Sequence, residues 1–277
     1  MPSDHPPEPV VPRPAATVIL VRDAPEPAPG RSPLQVFLQR RVAGMAFAGG
    51  MTVFPGGAVD PTDLPDPAAW SGPDPRWFSE RFGCDPELAG SLVCAAVRET
   101  FEECGVLLAG PGHADVTLLG AGRADLVAHR RTLGQLLAET GLLLRAELLQ
   151  PWARWITPPV SPRRYDTAFL VAVVPEGQSA DAHTTEAVEA TWWHPDEALR
   201  EWERGGMQLM APTYRTLEQI AEHPTSASLF AAAPDRTIRA IIPQARRDGG
   251  DIVLEVGEQP EVRMPAARMP IAEGGPL

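Results

Sequence analysis

The chain has 277 residues and a formal charge of −12, from 24 basic and 36 acidic side chains. Every one of the 24 basic residues is arginine, and neither lysine nor asparagine occurs. A P-loop lysine, a pyridoxal Schiff base and a lysine nucleophile are therefore excluded, and arginine is the strong phosphate clamp at hand. The acidic balance repels phosphate backbones, which disfavours a general nucleic-acid binder. Three cysteines, Cys84, Cys94 and Cys104, form no Cys-x-x-Cys pair. That usage fits a reducing compartment better than a disulfide scaffold or a zinc site. No apolar run approaches the roughly 18 residues of a membrane span, and prolines stand where a secretory leader needs an apolar centre. The expectation is a cytoplasmic chain that engages a small molecule, with neither nucleic acid nor membrane as partner.

In chain order, residues 1–13 read as a disordered, Pro-rich lead-in. Ala15 to Val21 is a short apolar run expected as a buried strand, and Leu34 to Arg41 alternates as a half-buried strand does. Met51 to Phe54 leads into Pro55-Gly56-Gly57. Residues 64–90, rich in Pro, Asp and Trp, read as an inserted excursion with one short helix near Trp77. From Ser91 to Leu108 the apolar spacing becomes helical, with Gly105 or Gly110 as the stop. One or two helices are expected over 122–144, then strands at 148–156, 165–174 and 186–193. Helices follow over 195–204 and 213–223, the first with Asp196 and Glu197 in its opening turn, as the helix dipole favours. A hairpin is expected over 238–256, turning at Asp248-Gly249-Gly250-Asp251, with the residues after Val262 as tail. Strands interleaved with helices imply an α/β domain with a mixed sheet over 14–225, followed by a C-terminal hairpin and tail over 226–277.

The sharpest feature is Arg98-Glu99-Thr100-Phe101-Glu102-Glu103-Cys104-Gly105-Val106. On a helix, Glu99, Glu102 and Glu103 stand at i, i+3 and i+4 and share one face. Such carboxylates repel unless a cation lies among them. Mg²⁺ or Mn²⁺ is the natural occupant, because hard cations take carboxylate oxygens and keep waters that a phosphate can displace. Arg98, four residues before Glu102, can orient it. The competing reading of the same residues is a solvated acidic helix face.

The string resembles the second half of the Nudix box, the Arg-Glu-x-x-Glu-Glu-x-Gly core of the Nudix hydrolases. Gly57, five residues and Asp63 resemble its first half, with Asp63 in place of the usual glutamate. The two halves are separated here by residues 64–90. One Nudix branch carries an insertion inside its box, that of the peroxisomal coenzyme A diphosphatase. Val53-Phe54-Pro55-Gly56-Gly57, Trp155-Ile156-Thr157-Pro158 and Pro162-Arg163-Arg164-Tyr165-Asp166-Thr167 are similar to that branch as well, so the resemblance spans roughly residues 14–220. It implies an α/β/α sandwich and hydrolysis of the diphosphate bond in a nucleoside diphosphate derivative. Coenzyme A or an acyl-CoA leads as substrate. ADP-ribose, NAD(H), a dinucleoside polyphosphate and a non-catalytic nucleotide sensor are the alternatives.

The same resemblance implies Glu99 and Glu103 as principal metal ligands and Glu102 as an accessory one, with Asp63 reaching a metal through water. The general base is a box glutamate, Glu102 or Glu103, or a later carboxylate, Glu186 first and Glu189 second. Gly56 and Gly57 let the loop approach the helix and the diphosphate. Thr100 stands at a usually aliphatic position and bears on packing. Of a coenzyme A motif seen in other Nudix members, Arg41 and Gly50 match while Val42 and Ala46 do not. Arg163 and Arg164 either clamp a phosphate or pair structurally with Asp166. Trp155, Trp192 and Trp193 either stack on a base or pack in the core. The six histidines, His183 and His194 among them, have no metal-ligand spacing, and Gly120-x-Gly122 lacks the third glycine of a dinucleotide site. A homodimer is compatible with this pattern, although no residue marks an interface.

Overall fold

The computed structural model describes residues 10–26, 29–44, 48–110, 116–182 and 187–265, with the backbone alone for 116–118. The first elements are β1 (Arg13–Asp23), β2 (Leu34–Arg41), β3 (Thr52–Val53), β4 (Gly56–Ala58) and β5 (Trp70–Ser71). Then come α1 (Pro75–Phe82), α2 (Pro86–Cys104), β6 (Ala109–Gly110), α3 (Val116–Val127), α4 (Leu133–Thr140) and β7 (Leu143–Arg145). The second half supplies β8 (Gln150–Ile156), β9 (Tyr165–Val173), β10 (Ala187–Trp193), α5 (Pro195–Arg204), α6 (Ala211–Ala221) and α7 (Ser226–Ala232). It closes with β11 (Ala240–Ile241), β12 (Gln244–Asp248), β13 (Asp251–Val256) and β14 (Gln259–Pro265). Among the described residues no helix is long and apolar enough to cross a membrane.

The main sheet runs β10-β2-β1-β9-β8-β11, with β3 on β2 and β4 on β1. β1 pairs in parallel with β9, and β8 with β11, while the other pairs are antiparallel, so the sheet is mixed. Side-chain alternation gives it two apolar faces. Ala16, Val18, Leu20, Phe37, Ala168, Leu170 and Ala172 pack toward α2. Ile19, Val21, Leu34, Val36, Leu38, Phe169 and Val171 pack toward α5, α6 and α7. Helices on both faces make the α/β/α sandwich.

Several boundaries move. α2 begins at Pro86 rather than Ser91, because Pro suits the first helical turn and Asp85 takes the N-cap position. The excursion is folded: Phe78 and Phe82 of α1 join the α2-side core, and β5, β7 and β6 form a small sheet of their own. Gly90 of α2 makes that docking close, since a Cβ there would meet Pro65 at 2.7 Å. At the N-terminus β1 already starts at Arg13, where its N–H donates to the Arg164 carbonyl at 2.9 Å. At the C-terminus residues 226–265 do not stand apart. β11 extends the main sheet, and Ile252, Leu254, Val256, Val262 and Met264 complete the core over α6. β14 therefore continues past Val262 to Pro265, with Met264 buried.

Candidate active site

α2 is fixed on the sheet before its glutamates matter. Val93, Ala95, Ala96 and Val97 are fully buried, and the small alanines let the helix approach the strands. Gly105 stops it in the left-handed region at φ 73°, its N–H returning to the Phe101 carbonyl, as helix C-termini favour. Thr100, at a buried position, satisfies its hydroxyl by donating to the Ala96 carbonyl at 2.7 Å.

The last turns of α2 lie directly under the Gly56-Gly57 turn. The Gly56 N–H donates to Glu103 Oε2 at 2.7 Å. A Cβ on Gly57 would stand 2.3 Å from Glu99 Oε1, and one on Gly56 would stand 2.4 Å from the Ala16 carbonyl oxygen. Only glycine permits both approaches. The three carboxylates are thus drawn from solvent: Glu103 is buried, and the Glu99 and Glu102 side chains are 14% and 13% exposed. Burial first, and the Glu99 charge second, push the Glu103 carboxyl well above the usual carboxylate range. The Gly56 N–H, the Gln39 side chain and the Arg41 charge pull the other way.

Arg98 organises the rest. Its Nε and Nη2 each donate to Asp63 at 2.8 Å, a bidentate pair that closes the box across the insertion. Nη2 also donates to the Ala58 carbonyl, and Nη1 reaches Glu99 Oε1 at 2.8 Å and Glu102 Oε2 at 3.5 Å. Burial works against the Arg98 charge, but the Asp63 hydrogen bond and the charges of Glu99, Asp63 and Glu102 outweigh it and raise its pKa. Asp63 is therefore engaged with the arginine, and also accepts from the Asp60 N–H.

The donor set suits a hard divalent cation: carboxylate oxygens, partly desolvated and mutually repelling, beside a turn with no side chain in the way. Among the described residues no three His, Cys, Asp or Glu side chains are gathered closely enough to enclose an ion by themselves. A cation held by Glu99, Glu102 and Glu103 would complete its shell with water and phosphate oxygens, the usual habit of Mg²⁺.

The remaining candidates divide. Arg41 follows Phe37 and Gln39 on the α2 face of β2, and its charge reaches Glu103. Glu189 does not face this site. It pairs with Arg40 at 3.5 Å on the opposite face, because Arg40 alternates with Gln39 and Arg41. Arg164 is buried and bonds to backbone, not to Asp166. Its guanidinium donates to the Thr157 and Val10 carbonyls at 2.9 and 2.7 Å. Asp166 instead holds Arg154 bidentately, and Arg154 reaches on to the Phe82 carbonyl at the end of α1. Arg163 is exposed in the turn before β9. Trp155 is buried, Trp192 stacks edge-on against Phe37, and Trp193 packs partly buried on the α5 side. Cys94 and Cys104 are buried as small core residues. Ala46, His183 and Glu186 lie outside the described residues.

Gln39 is the site residue that sequence reasoning missed. It is buried and donates Nε2–H to Glu103 Oε2 at 2.6 Å. Its signal was the alternation of β2, which puts a polar side chain where Phe37 predicts an inward one.

A glutamate-bearing helix docked beneath a Gly-Gly turn, against a mixed sheet covered on both faces, defines the Nudix class. The chain matches the model of the NUDT19 Nudix domain over residues 79–220, half of its length, and it belongs to that family. It is 24% identical over 230 residues to the acyl-coenzyme A diphosphatase NUDT19 of Xenopus laevis, with 68% of this chain and 60% of that protein covered. It is 29% identical over 194 residues to the putative nudix hydrolase 7 of Caenorhabditis elegans, covering 68% and 56%. The chain thus spans less than two thirds of the length of those two relatives. Its fold is similar to the crystal structure of a Nudix hydrolase from Alicyclobacillus acidocaldarius, with TM-score 0.64 and 27% identity over 80% of this chain and 96% of that one.

Proposed function

We propose that this protein is a Mg²⁺- or Mn²⁺-dependent hydrolase of the diphosphate bond in a nucleoside diphosphate derivative, with coenzyme A or an acyl-CoA as its substrate. The observation that carries the reading is the burial of Glu99, Glu102 and Glu103 together against Gly56-Gly57. A solvated acidic face would leave them in water. The coenzyme A assignment is supported by the insertion inside the box and by the activity in the names of the Xenopus and human relatives, the latter 27% identical over 279 residues.

A bound divalent ion supplies neutralisation of the diphosphate, a template for in-line attack and water of lowered pKa. The chain supplies the rest. Glu99 and Glu103 present oxygens from the helix, one pressed to the turn and one fixed by the Gly56 N–H. Arg98 Nη1 bridges Glu99 and Glu102 and offsets their repulsion, while Asp63 holds Arg98. Arg41 offers a cation on the same face, and Arg163 stands exposed in the turn before β9. The proton acceptor is Glu102, Glu103 or Glu186.

The test is a substrate panel with Mg²⁺ or Mn²⁺, products resolved by chromatography. Coenzyme A should yield adenosine 3′,5′-bisphosphate and phosphopantetheine, with turnover abolished by chelation and restored by metal. Cleavage of ADP-ribose, NADH or a dinucleoside polyphosphate, with coenzyme A left intact, removes the substrate assignment and keeps the chemistry. Tight nucleotide binding with no turnover of any diphosphate turns the reading to a sensor.

A further inference from the structure

Gln39 has one side-chain partner and one side-chain atom without any. Its Nε2–H donates to Glu103 Oε2 at 2.6 Å, while its Oε1 is buried and has no hydrogen-bond partner. The residue is 1% exposed, on the same face of β2 as Phe37. An orphaned buried acceptor is unfavourable, so this amide opposes folding unless something brings it a donor.

The same contact decides how Glu103 is presented. Its Oε2 accepts from both the Gly56 N–H at 2.7 Å and Gln39 at 2.6 Å. A carboxylate oxygen has about two lone-pair sites, and two donors occupy them. Oε1 is the oxygen left for a cation. Both donors favour the charged carboxylate, against the burial that disfavours it.

We propose that Gln39 is a positioning residue of the metal site. It fixes Glu103 through Oε2 so that Oε1 is presented, and its free Oε1 accepts a hydrogen bond from water held at the site. The inference rests on the metal-dependent reading above. It departs from the box motif, since Gln39 lies 60 residues before Glu99 in the chain (99 − 39) and on a different element.

The experiment titrates the full chain with Mn²⁺ alone, following the electron paramagnetic resonance signal of the free ion, for wild type, Gln39→Met, Gln39→Leu and Glu103→Gln. Outer-shell partners typically govern metal affinity by about ten- to a hundredfold, and a loss of that size is expected for both Gln39 variants. With substrate, kcat should fall and KM stay within about twofold, because the residue acts through Glu103 and not through the nucleotide. The melting temperature should hold or rise, since a buried orphan is replaced by an apolar group of similar size. Wild-type Mn²⁺ affinity in Gln39→Met and Gln39→Leu, with affinity lost in Glu103→Gln, overturns the inference and leaves the metal site standing. Unchanged affinity in Glu103→Gln, or no Mn²⁺ binding by wild type, overturns both. A large drop in melting temperature in both Gln39 variants makes the residue a packing element and overturns the inference as well.

Discussion

The two faces of the main sheet are made from alternate residues of the same strands, yet they bury different chemistry. On β2, Val36 and Leu38 point to the α5–α7 side and Phe37 and Gln39 to the α2 side. The α5–α7 side closes as an apolar wall of Ile19, Phe169, Trp152, Ile252 and Leu254. Its buried arginine, Arg215, turns away to the hairpin carbonyls of Pro260 and Glu261. The α2 side gathers Gln39, Glu103, Arg98 and Asp63 within the fold. One face uses burial to gain stability, whereas the other accepts the cost of desolvated charge and offsets it in pairs, except at Glu103 and Gln39. Where the offset is incomplete, an external cation and its water have a reason to bind.

Glu103→Gln should break that contrast most strongly. It removes a charge that the fold disfavours while keeping an acceptor for the Gly56 N–H. Turnover is expected to fall on the order of a hundredfold or more, with no loss of melting temperature. Wild-type turnover in this variant would remove Glu103 from the chemistry. On the opposite face, Ile252→Ala opens a cavity under the hairpin, and denaturant unfolding should show a loss of about 2–5 kcal/mol with kcat unchanged. Unaltered stability there would mean that the hairpin is not part of the common core.

A smaller effect is expected where the insertion meets the sheet. Arg154→Ala removes the bidentate pair with Asp166 and the bond to the Phe82 carbonyl. Stability should fall by about 1–3 kcal/mol, with faster proteolysis across 64–85; equal cleavage rates would show that α1 is held by Phe78 and Phe82 alone. The smallest effect belongs to His223, on the apolar side against Trp152. Burial first, then the Arg236 charge, holds it below its ordinary 6.5. The unfolded chain then takes the proton more readily, so this stability is present above pH 6.5 and fades as pH falls toward the lower folded value. His223→Gln should flatten that part of the pH–stability profile, and an unchanged slope would acquit His223.

Legibility followed locality. Leu34 to Arg41 is legible to its ends, and the helix from Pro195 to about Arg204 nearly so, because alternation and helical period are written in consecutive positions. β5, β6 and β7, with two or three residues each, have no periodicity to detect and exist by pairing with one another. The start of α2 is not legible in the sequence because its opening residues include Pro86 and Gly90, which read as loop. Glu189 carried the right residue type at the right spacing and still faces the wrong side of the sheet, and Arg164 is consumed by carbonyls that no motif names.

The sequence by itself determined the class, the helix that bears the glutamates and the glycines that must lie beside it, because these depend on local spacing and on the smallness of one residue type. The tertiary structure alone decided which charges meet. It joined Asp63 to Arg98 across the insertion, turned Glu189 away and brought Gln39 to Glu103. Those pairings are set by strand register and by the face each side chain takes, and neither is encoded at any single position.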